Sequence, residues 1–217
     1  MINFLRKLLN LIYSKSCYFC SNFKEDKIFC NRCYNSVKFL SDKPYRQTEG
    51  CPLYAVSYYD GITKKLIRAV KFHNKTELAD YQAKLMSDYW KKLDISHKKY
   101  TVVPVPMFFS KARKRKCNHM DLVGKKFCEY MNYDFDNKSL IRNRETAPQY
   151  KLSVAERNKN LKGAFSLTNS EIKEPVLILD DISTTGTTLK EIIKLLEKNN
   201  LSDITCFVTS VAEKYYG

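Results

Sequence analysis

The segment Val176–Glu191 constrains the fold of this chain more than any other, because it joins an apolar run, two adjacent acids and a turn of small residues. The apolar run Val176–Leu179 predicts a buried parallel strand. Asp180 and Asp181 follow at its carboxyl end, where open α/β sheets bind their ligands. A helix is predicted over Thr187–Asn199, so the segment is expected to be a strand, a turn and a helix of an α/β protein.

The turn between this strand and helix has the composition of a phosphate site. Successive N–H groups, hydroxyls and the permissive Gly186 lie at a helix start, whose dipole favours an anion. The predicted phosphate-binding residues are Ser183, Thr184, Thr185, Gly186, Thr187 and Thr188. The two carboxylates repel phosphate but accept hydrogen bonds from sugar hydroxyls, directly or through magnesium. Together the two halves predict a sugar phosphate ligand; the alternative is a helix-entry acid followed by an ordinary capping turn.

The rest of the chain after Leu53 alternates between strand-like and helix-like segments. Strands are predicted in LYAVSYYD, TVVPVP and ITCFVTSVA, and helices from Thr63, over Glu77–Lys92 and over Asp121–Asn132. The polar segment RNRETAPQYKLSVAERNKNLKGAF predicts a long loop. This alternation is typical of an α/β sheet with its helices packed against it.

Four of the eight cysteines lie in two close pairs near the N-terminus. Cys17 and Cys20 form one CxxC motif and Cys30 and Cys33 form another, a spacing that lets two tight turns close a tetrahedral zinc site. Residues 1–50 are therefore predicted to form a zinc module, ending in the polar linker SDKPYRQTEG. Residues 51–217 are predicted to form the α/β domain.

The N-terminal segment MINFLRKLLNLIYS predicts a short amphipathic helix. Packing of its apolar face on the protein itself is favoured over peripheral contact with a membrane surface. The sequence contains no run of about eighteen apolar residues, so no membrane-spanning helix is expected and a cytoplasmic location is predicted.

A formal net charge of +15 favours polyanionic partners. The cations cluster beside the proposed pocket, in the loop after TVVPVP. The predicted nucleic-acid-binding residues there are Lys111, Arg113, Lys114 and Lys116. Arg115 lies between Lys114 and Lys116 and adds a fifth cation to the cluster. This density suits pyrophosphate, single-stranded DNA or both, and a merely solvated basic loop is the alternative.

The segment ILDDISTTGTT closely resembles the phosphoribosyl-pyrophosphate (PRPP) motif of type I phosphoribosyltransferases. The order of the other segments resembles the ComF family of competence-associated proteins over nearly the whole chain. These segments are CYFC…CNRC, VKFHNKTELAD, VVPVPM…RKRKCNHMDL and RNRETAPQYKLSVAERNKNLKGAF. The resemblance implies a type I phosphoribosyltransferase-like parallel sheet with helices on both faces, plus a small N-terminal zinc module with four cysteines.

The resemblance also implies roles for individual residues. Asp180 and Asp181 would be the catalytic pair on the ribose hydroxyls, and Thr184–Thr188 would hold the 5′-phosphate. Arg115 and Asn118 would face the pyrophosphate, although Lys116 stands where the family usually has a glycine. The long polar loop, which includes Arg142, Arg144, Gln149, Arg157 and Asn158, would close over the site.

For function, the ComF resemblance implies a protein of DNA uptake in natural competence that binds PRPP or a related ribose 5-phosphate ligand with magnesium. Proteins of the competence machinery are the expected partners. An active chain would displace pyrophosphate at the ribose C1. The alternative is a non-catalytic protein of the transformation machinery that senses PRPP or binds single-stranded DNA. The motifs name no acceptor base, so both hypotheses stand.

Overall fold

The computed structural model describes residues 16–23, 25, 27–73, 75–108, 118–145, 160–168 and 171–212 of the 217-residue chain. The chain divides into two compact units between Lys38 and Phe39. The sequence analysis placed the boundary at residue 50, but strand β1, Arg46–Thr48, pairs antiparallel with the first residues of β2, Cys51–Tyr58. The polar stretch expected to be a linker therefore supplies an edge strand to the larger unit. The predicted N-terminal helix lies outside the described residues.

The smaller unit is built around its cysteines and a few aromatic rings. Its described part contains one short helix, α1, Asn31–Asn35, which begins directly after Cys30. Phe29 is buried, with its ring centroid 4.5 Å from Phe19 and 5.4 Å from Tyr34. A core of this size stabilises a fold weakly without a metal or another cross-link.

The larger unit is an α/β sheet, as predicted. Its helices are α2 (Gly61–Phe72), α3 (Leu78–Trp90), α4 (His119–Met131) and α5 (Thr187–Lys198), with a 3-10 turn at Asp94–His97. Its further strands are β3 (Thr101–Pro104), β4 (Asp134–Phe135), β5 (Leu140–Arg142), β6 (Phe165–Leu167), β7 (Val176–Ser183) and β8 (Ile204–Val211). The main sheet has the order β1-β2-β8-β7-β3-β4 and is parallel except at β1.

Helices cover both faces of this sheet, because alternate strand residues point to opposite sides. On one face, Ile178 belongs to the same buried cluster as Ile192 and Leu196 of α5. On the other face, the Phe207 ring lies 4.7 Å from Trp90 of α3 and 5.7 Å from Phe127 of α4, measured between centroids. The central strands β7 and β8 are thus buried on both sides and fix the position of the residues that follow them.

Two local differences from the sequence predictions affect the site. The predicted long loop begins and ends in an antiparallel hairpin, β5 with β6, so Arg142 lies on a strand; residues 146–159 of that loop, which include Gln149, Arg157 and Asn158, lie outside the described residues. Strand β7 runs four residues beyond the predicted end at Leu179, because it stays paired with β8 as far as Ser183. Across the described part of the chain, no helix is both long and apolar enough to span a bilayer.

Candidate functional site

The two adjacent acids lie within strand β7 and therefore point to opposite faces of the sheet. Asp180 pairs with Val208 of β8, and the ladder continues at Ile182. Consecutive residues of an extended strand alternate in direction, so Asp181 shares the face of Leu179, which packs against α4. The strand thus separates two acids that the sequence placed side by side.

Asp181 is buried in an internal network of charges. Its Oδ2 accepts hydrogen bonds from Lys71 Nζ at 2.5 Å, at the end of α2, and from His119 Nε2 at 2.8 Å, at the start of α4. Burial alone would raise the pKa of the Asp181 carboxyl, but Lys71 and His119 hold it well below its usual value. Asp181 is therefore a charged anchor that joins three elements of the fold.

Asp180 is the acid that lies at the cleft. It lines a small, open cleft together with residues of the following turn and helix: Ile182, Ser183, Thr184, Gly186, Thr187, Thr188 and Leu189. Burial and the neighbouring charge of Asp181 raise the pKa of the Asp180 carboxyl to about 7. A carboxyl that ionises near neutral pH can accept hydrogen bonds from hydroxyls or contact a cation once it is charged.

The predicted phosphate turn lies between β7 and α5, in the same cleft as Asp180. Gly186 occupies the left-handed region with φ +79°, directly before the first residue of α5. The Thr185 and Thr187 hydroxyls lie 2.9 Å apart, which orders the turn from within. The structure thus brings Asp180, the hydroxyls and the positive end of a helix dipole to one place.

Asn118 has a capping role in the structure. Its Oδ1 accepts from the backbone N–H of Met120 at 3.2 Å, and its Nδ2 donates to Asp121 Oδ1 at 2.8 Å. The first contact is typical of an N-cap residue at the start of a helix, here α4, and the second ties Asn118 to the first turn of that helix. Its predicted contact with pyrophosphate stays a prediction. The cations predicted for the adjacent loop, Lys111, Arg113, Lys114, Arg115 and Lys116, lie outside the described residues.

Three residues that the sequence analysis left without a role contact this segment. Lys71 and His119 hold Asp181, and Arg46 of β1 donates to the turn itself. Arg142 of β5 is also close enough for the Asp180 charge to act on it, although burial lowers its pKa. No local pattern marks these residues. Lys71 and His119 do lie in segments that carry the family resemblance, which is the one signal that points to them.

The four paired cysteines of the smaller unit come together as predicted. The sulfurs of Cys17, Cys20, Cys30 and Cys33 all lie within 4.8 Å of one another, and Cys20 Sγ is 3.6 Å from Cys30 Sγ. Zinc–sulfur bonds of about 2.3 Å in a tetrahedron place sulfurs about 3.8 Å apart, so this set fits a zinc ion. Burial raises the pKa of the Cys33 thiol, so a bound metal would displace protons from the set.

Comparison with known proteins supports the same fold and setting. The phosphoribosyl transferase domain model matches residues 125–214. The DNA utilization protein YhgH of Salmonella typhimurium is 30% identical over 158 residues, covering 70% of this chain and 68% of that protein. Competence protein F of Haemophilus influenzae is 36% identical over 106 residues, covering 48% of this chain and 46% of that protein.

Among solved structures, the chain is similar to adenine phosphoribosyl transferase from Trypanosoma brucei, determined with AMP, pyrophosphate and ribose-5-phosphate. The two share 12% sequence identity with a TM-score of 0.43, over 74% of this chain and 84% of that one.

Proposed function

Because this chain belongs to the ComF family of competence-associated proteins, we propose that it binds PRPP or a related ribose 5-phosphate ligand, with magnesium, in DNA uptake. One observation carries the proposal. Asp180 and the hydroxyl-rich turn line a single cleft, so the group that suits ribose hydroxyls lies beside the group that suits a phosphate. A ligand with a sugar and a phosphate at adjacent positions satisfies both.

The phosphate half of this ligand would occupy the turn Ser183–Thr188. Its hydroxyls and N–H groups are donors, and the dipole of α5 adds a positive potential at the same point. Gly186 supplies the left-handed backbone conformation, φ +79°, that the turn adopts directly before α5. These features explain why the turn suits an anion although an acid precedes it.

The ribose half would contact Asp180, with Asp181 acting through the fold. Magnesium in such sites is held by one or two carboxylates and by oxygens of the substrate itself. Asp180 suits the role of one such carboxylate ligand. Asp181 does not fit it, because the ammonium group of Lys71 lies 2.5 Å from Asp181 Oδ2. We therefore assign ligand contact to Asp180 and the positioning of β7 against α2 and α4 to Asp181.

Transfer of the phosphoribosyl group is the proposed reaction of an active chain. The cleft would orient the ribose so that an acceptor displaces pyrophosphate at C1, and bound magnesium would neutralise charge on the leaving group. Asp180 would hold the sugar hydroxyls during that displacement.

Labelled PRPP, magnesium and a panel of bases test binding and reaction together. Pyrophosphate release that depends on a base would show a transferase, and saturable binding without release would show a PRPP sensor. Protein that binds neither PRPP nor ribose 5-phosphate would contradict the proposal.

Binding of single-stranded DNA is a second candidate function, favoured by the surface of α2. This helix has no acidic residue, and Lys64, Lys65 and Arg68 are all exposed on it. Phe72 at its end is 55% exposed and can stack on a base. The names of the relatives, DNA utilization protein and competence protein, fit this surface.

The salt dependence of DNA affinity measures how many cations contact the phosphates. Two variants separate the candidate surfaces: one with Lys64, Lys65 and Arg68 changed to Gln, and one with Lys111, Arg113 and Lys114 changed to Gln. The triple variant with the shallower salt dependence identifies the contact surface. Equal, unchanged salt dependence in both would exclude both surfaces.

A further inference from the structure

Arg46 joins the edge of the sheet to the phosphate turn. From strand β1, its Nη1 donates to the backbone oxygen of Thr184 at 3.1 Å, and its Nη2 donates to Ser183 Oγ at 2.8 Å. These two hydrogen bonds hold the consecutive residues Ser183 and Thr184 to a strand that is distant in the sequence. The conformation of the turn is therefore set by β1 as well as by β7 and α5.

The bond to Thr184 controls the direction of one N–H group. In a trans peptide the C=O and the following N–H point to opposite sides. Since Arg46 binds the Thr184 oxygen on the side of β1, the N–H of Thr185 is directed away from β1. Such control matters in this turn, because its N–H groups are the expected donors to the phosphate.

Arg46 and Gly186 form a matched pair. A Cβ added to Gly186 would lie 2.8 Å from Arg46 Nη2 and 3.8 Å from Thr48 Cγ2. The first distance is too short for a real contact. The guanidinium therefore borders the space that a side chain at residue 186 would occupy, so a larger residue there would push the end of Arg46 away from the turn. The φ of +79° favours glycine independently.

The charge of Arg46 is directed to the turn without a compensating acid. In the part of the chain that the structure describes, no carboxylate forms an ion pair with it. The acid closest in sequence, Glu49, is instead held by Lys190 at 3.2 Å and Lys194 at 3.6 Å, both on α5. Within the β1–β2 hairpin, Glu49 thus contacts α5 and Arg46 contacts the turn.

We propose that Arg46 is a positioning residue of the phosphate turn: it holds Ser183 and Thr184 in the anion-binding arrangement and adds its charge to the attraction of the ligand's 5′-phosphate. This inference rests on the function proposed above. It extends the site beyond the β7–α5 segment to the edge of the sheet, in a stretch that the sequence analysis assigned to the zinc module and its linker.

Calorimetry with ribose 5-phosphate tests the proposal on the full chain. Arg46→Met removes both bonds and the charge, and the expected result is an affinity about ten- to a hundredfold lower, as for lost charge-assisted hydrogen bonds. Arg46→Lys keeps the charge but cannot hold both partners, so its affinity should lie between those of Arg46→Met and wild type. Lys43→Met, an exposed lysine in the same segment, is the matched control and should bind like wild type.

Two further measurements separate positioning from general stability. The ligand affinity of Arg46→Met should fall less steeply with salt than that of Lys43→Met, which a purely structural role would not produce. Arg46→Met and Ser183→Ala should also be non-additive in a double-mutant cycle, because the two side chains share one bond. If Arg46→Met does not fold, the Arg46→Lys variant and its cycle with Ser183→Ala decide the question.

The outcomes for the two proposals differ. Wild-type protein that binds no ribose 5-phosphate and no PRPP would contradict the proposed function. Wild-type protein that binds the ligand while Arg46→Lys and any folded Arg46→Met bind it equally well would overturn the role of Arg46 alone.

Discussion

The four-cysteine module and the cleft beside Asp180 were both predicted from a short motif, yet they are built in different ways. In the module, all four ligands come from one short stretch between Cys17 and Cys33, and the sulfurs meet through local turns. In the cleft, the contributing groups range from Arg46 in β1 to Thr188 in α5. A site built from one short segment, such as the module, depends on its metal for stability. A site built from distant segments, such as the cleft, depends on the hydrophobic core beneath it.

This difference determines how the folding of each region should respond to a substitution. The described part of the module has little apolar core beyond its aromatic rings and cysteines, so metal binding and folding are expected to be coupled. The cleft lies at the end of β7, and β7 and its neighbour β8 are largely buried on both faces of the sheet. Damage to one region should therefore leave the other intact, and the predictions for Cys20 and Gly186 below test that independence.

Removal of one zinc ligand should have the largest effect. Cys20→Ser is expected to lower bound zinc from one equivalent to well below it and to unfold the module, because three remaining thiols hold the ion more weakly. Elemental analysis and limited proteolysis measure both effects. The thermal transition of residues 39–217 should not move, and its joint loss with the module would contradict the independence of the two units.

Loss of the Asp181 charge should come next and act on stability. Asp181→Asn removes the charge of the buried carboxylate that Lys71 and His119 contact. The expected cost is about 3–5 kcal/mol in the free energy of unfolding. Urea denaturation measures this cost. Asp180→Asn is the matched control, because among the described residues no cation lies within ion-pair distance of Asp180, which lines the cleft. Equal destabilisation by both changes would contradict their separation.

Obstruction of the turn should reduce ligand affinity with less effect on the fold. Gly186→Val places a β-branched side chain at φ +79°, against Arg46, and should weaken binding of every 5′-phosphorylated ligand by about ten- to a hundredfold. Calorimetry with ribose 5-phosphate is the measurement. Zinc content is the control. It should stay at one equivalent, because the cysteine module is expected to be independent of the turn.

The smallest predicted effect is a pH dependence. Since the pKa of Asp180 is raised to about 7, its carboxyl is protonated below that pH and charged above it. Magnesium-dependent PRPP binding should therefore strengthen as the pH rises from about 6 to 8, by up to about tenfold over this whole range. In Asp180→Asn this part of the dependence should vanish, leaving the contribution of ligand phosphate. An identical profile in the variant would exclude Asp180 as the titrating group.

The sequence predicted the elements whose patterns are local and strong. Helices α2 to α5 and strands β2, β3, β7 and β8 were expected close to their observed positions, because each has its own apolar period. Strands β1, β5 and β6 were missed, since each has only three residues and lies in a polar stretch that resembles a loop. Such short strands form only because a partner strand lies beside them.

By itself, the sequence determined the chemistry of both sites: four thiols at metal-binding spacing, and acids, hydroxyls and glycine around one turn. It did not determine which of the two acids lies at the cleft. That was decided by β7 continuing to Ser183 in register with β8, which turns Asp180 toward the cleft and Asp181 toward Lys71 and His119. The tertiary structure likewise placed Arg46 on the turn. Composition and spacing are local properties of a chain, whereas the direction of a side chain and its distant partners depend on how strands pair.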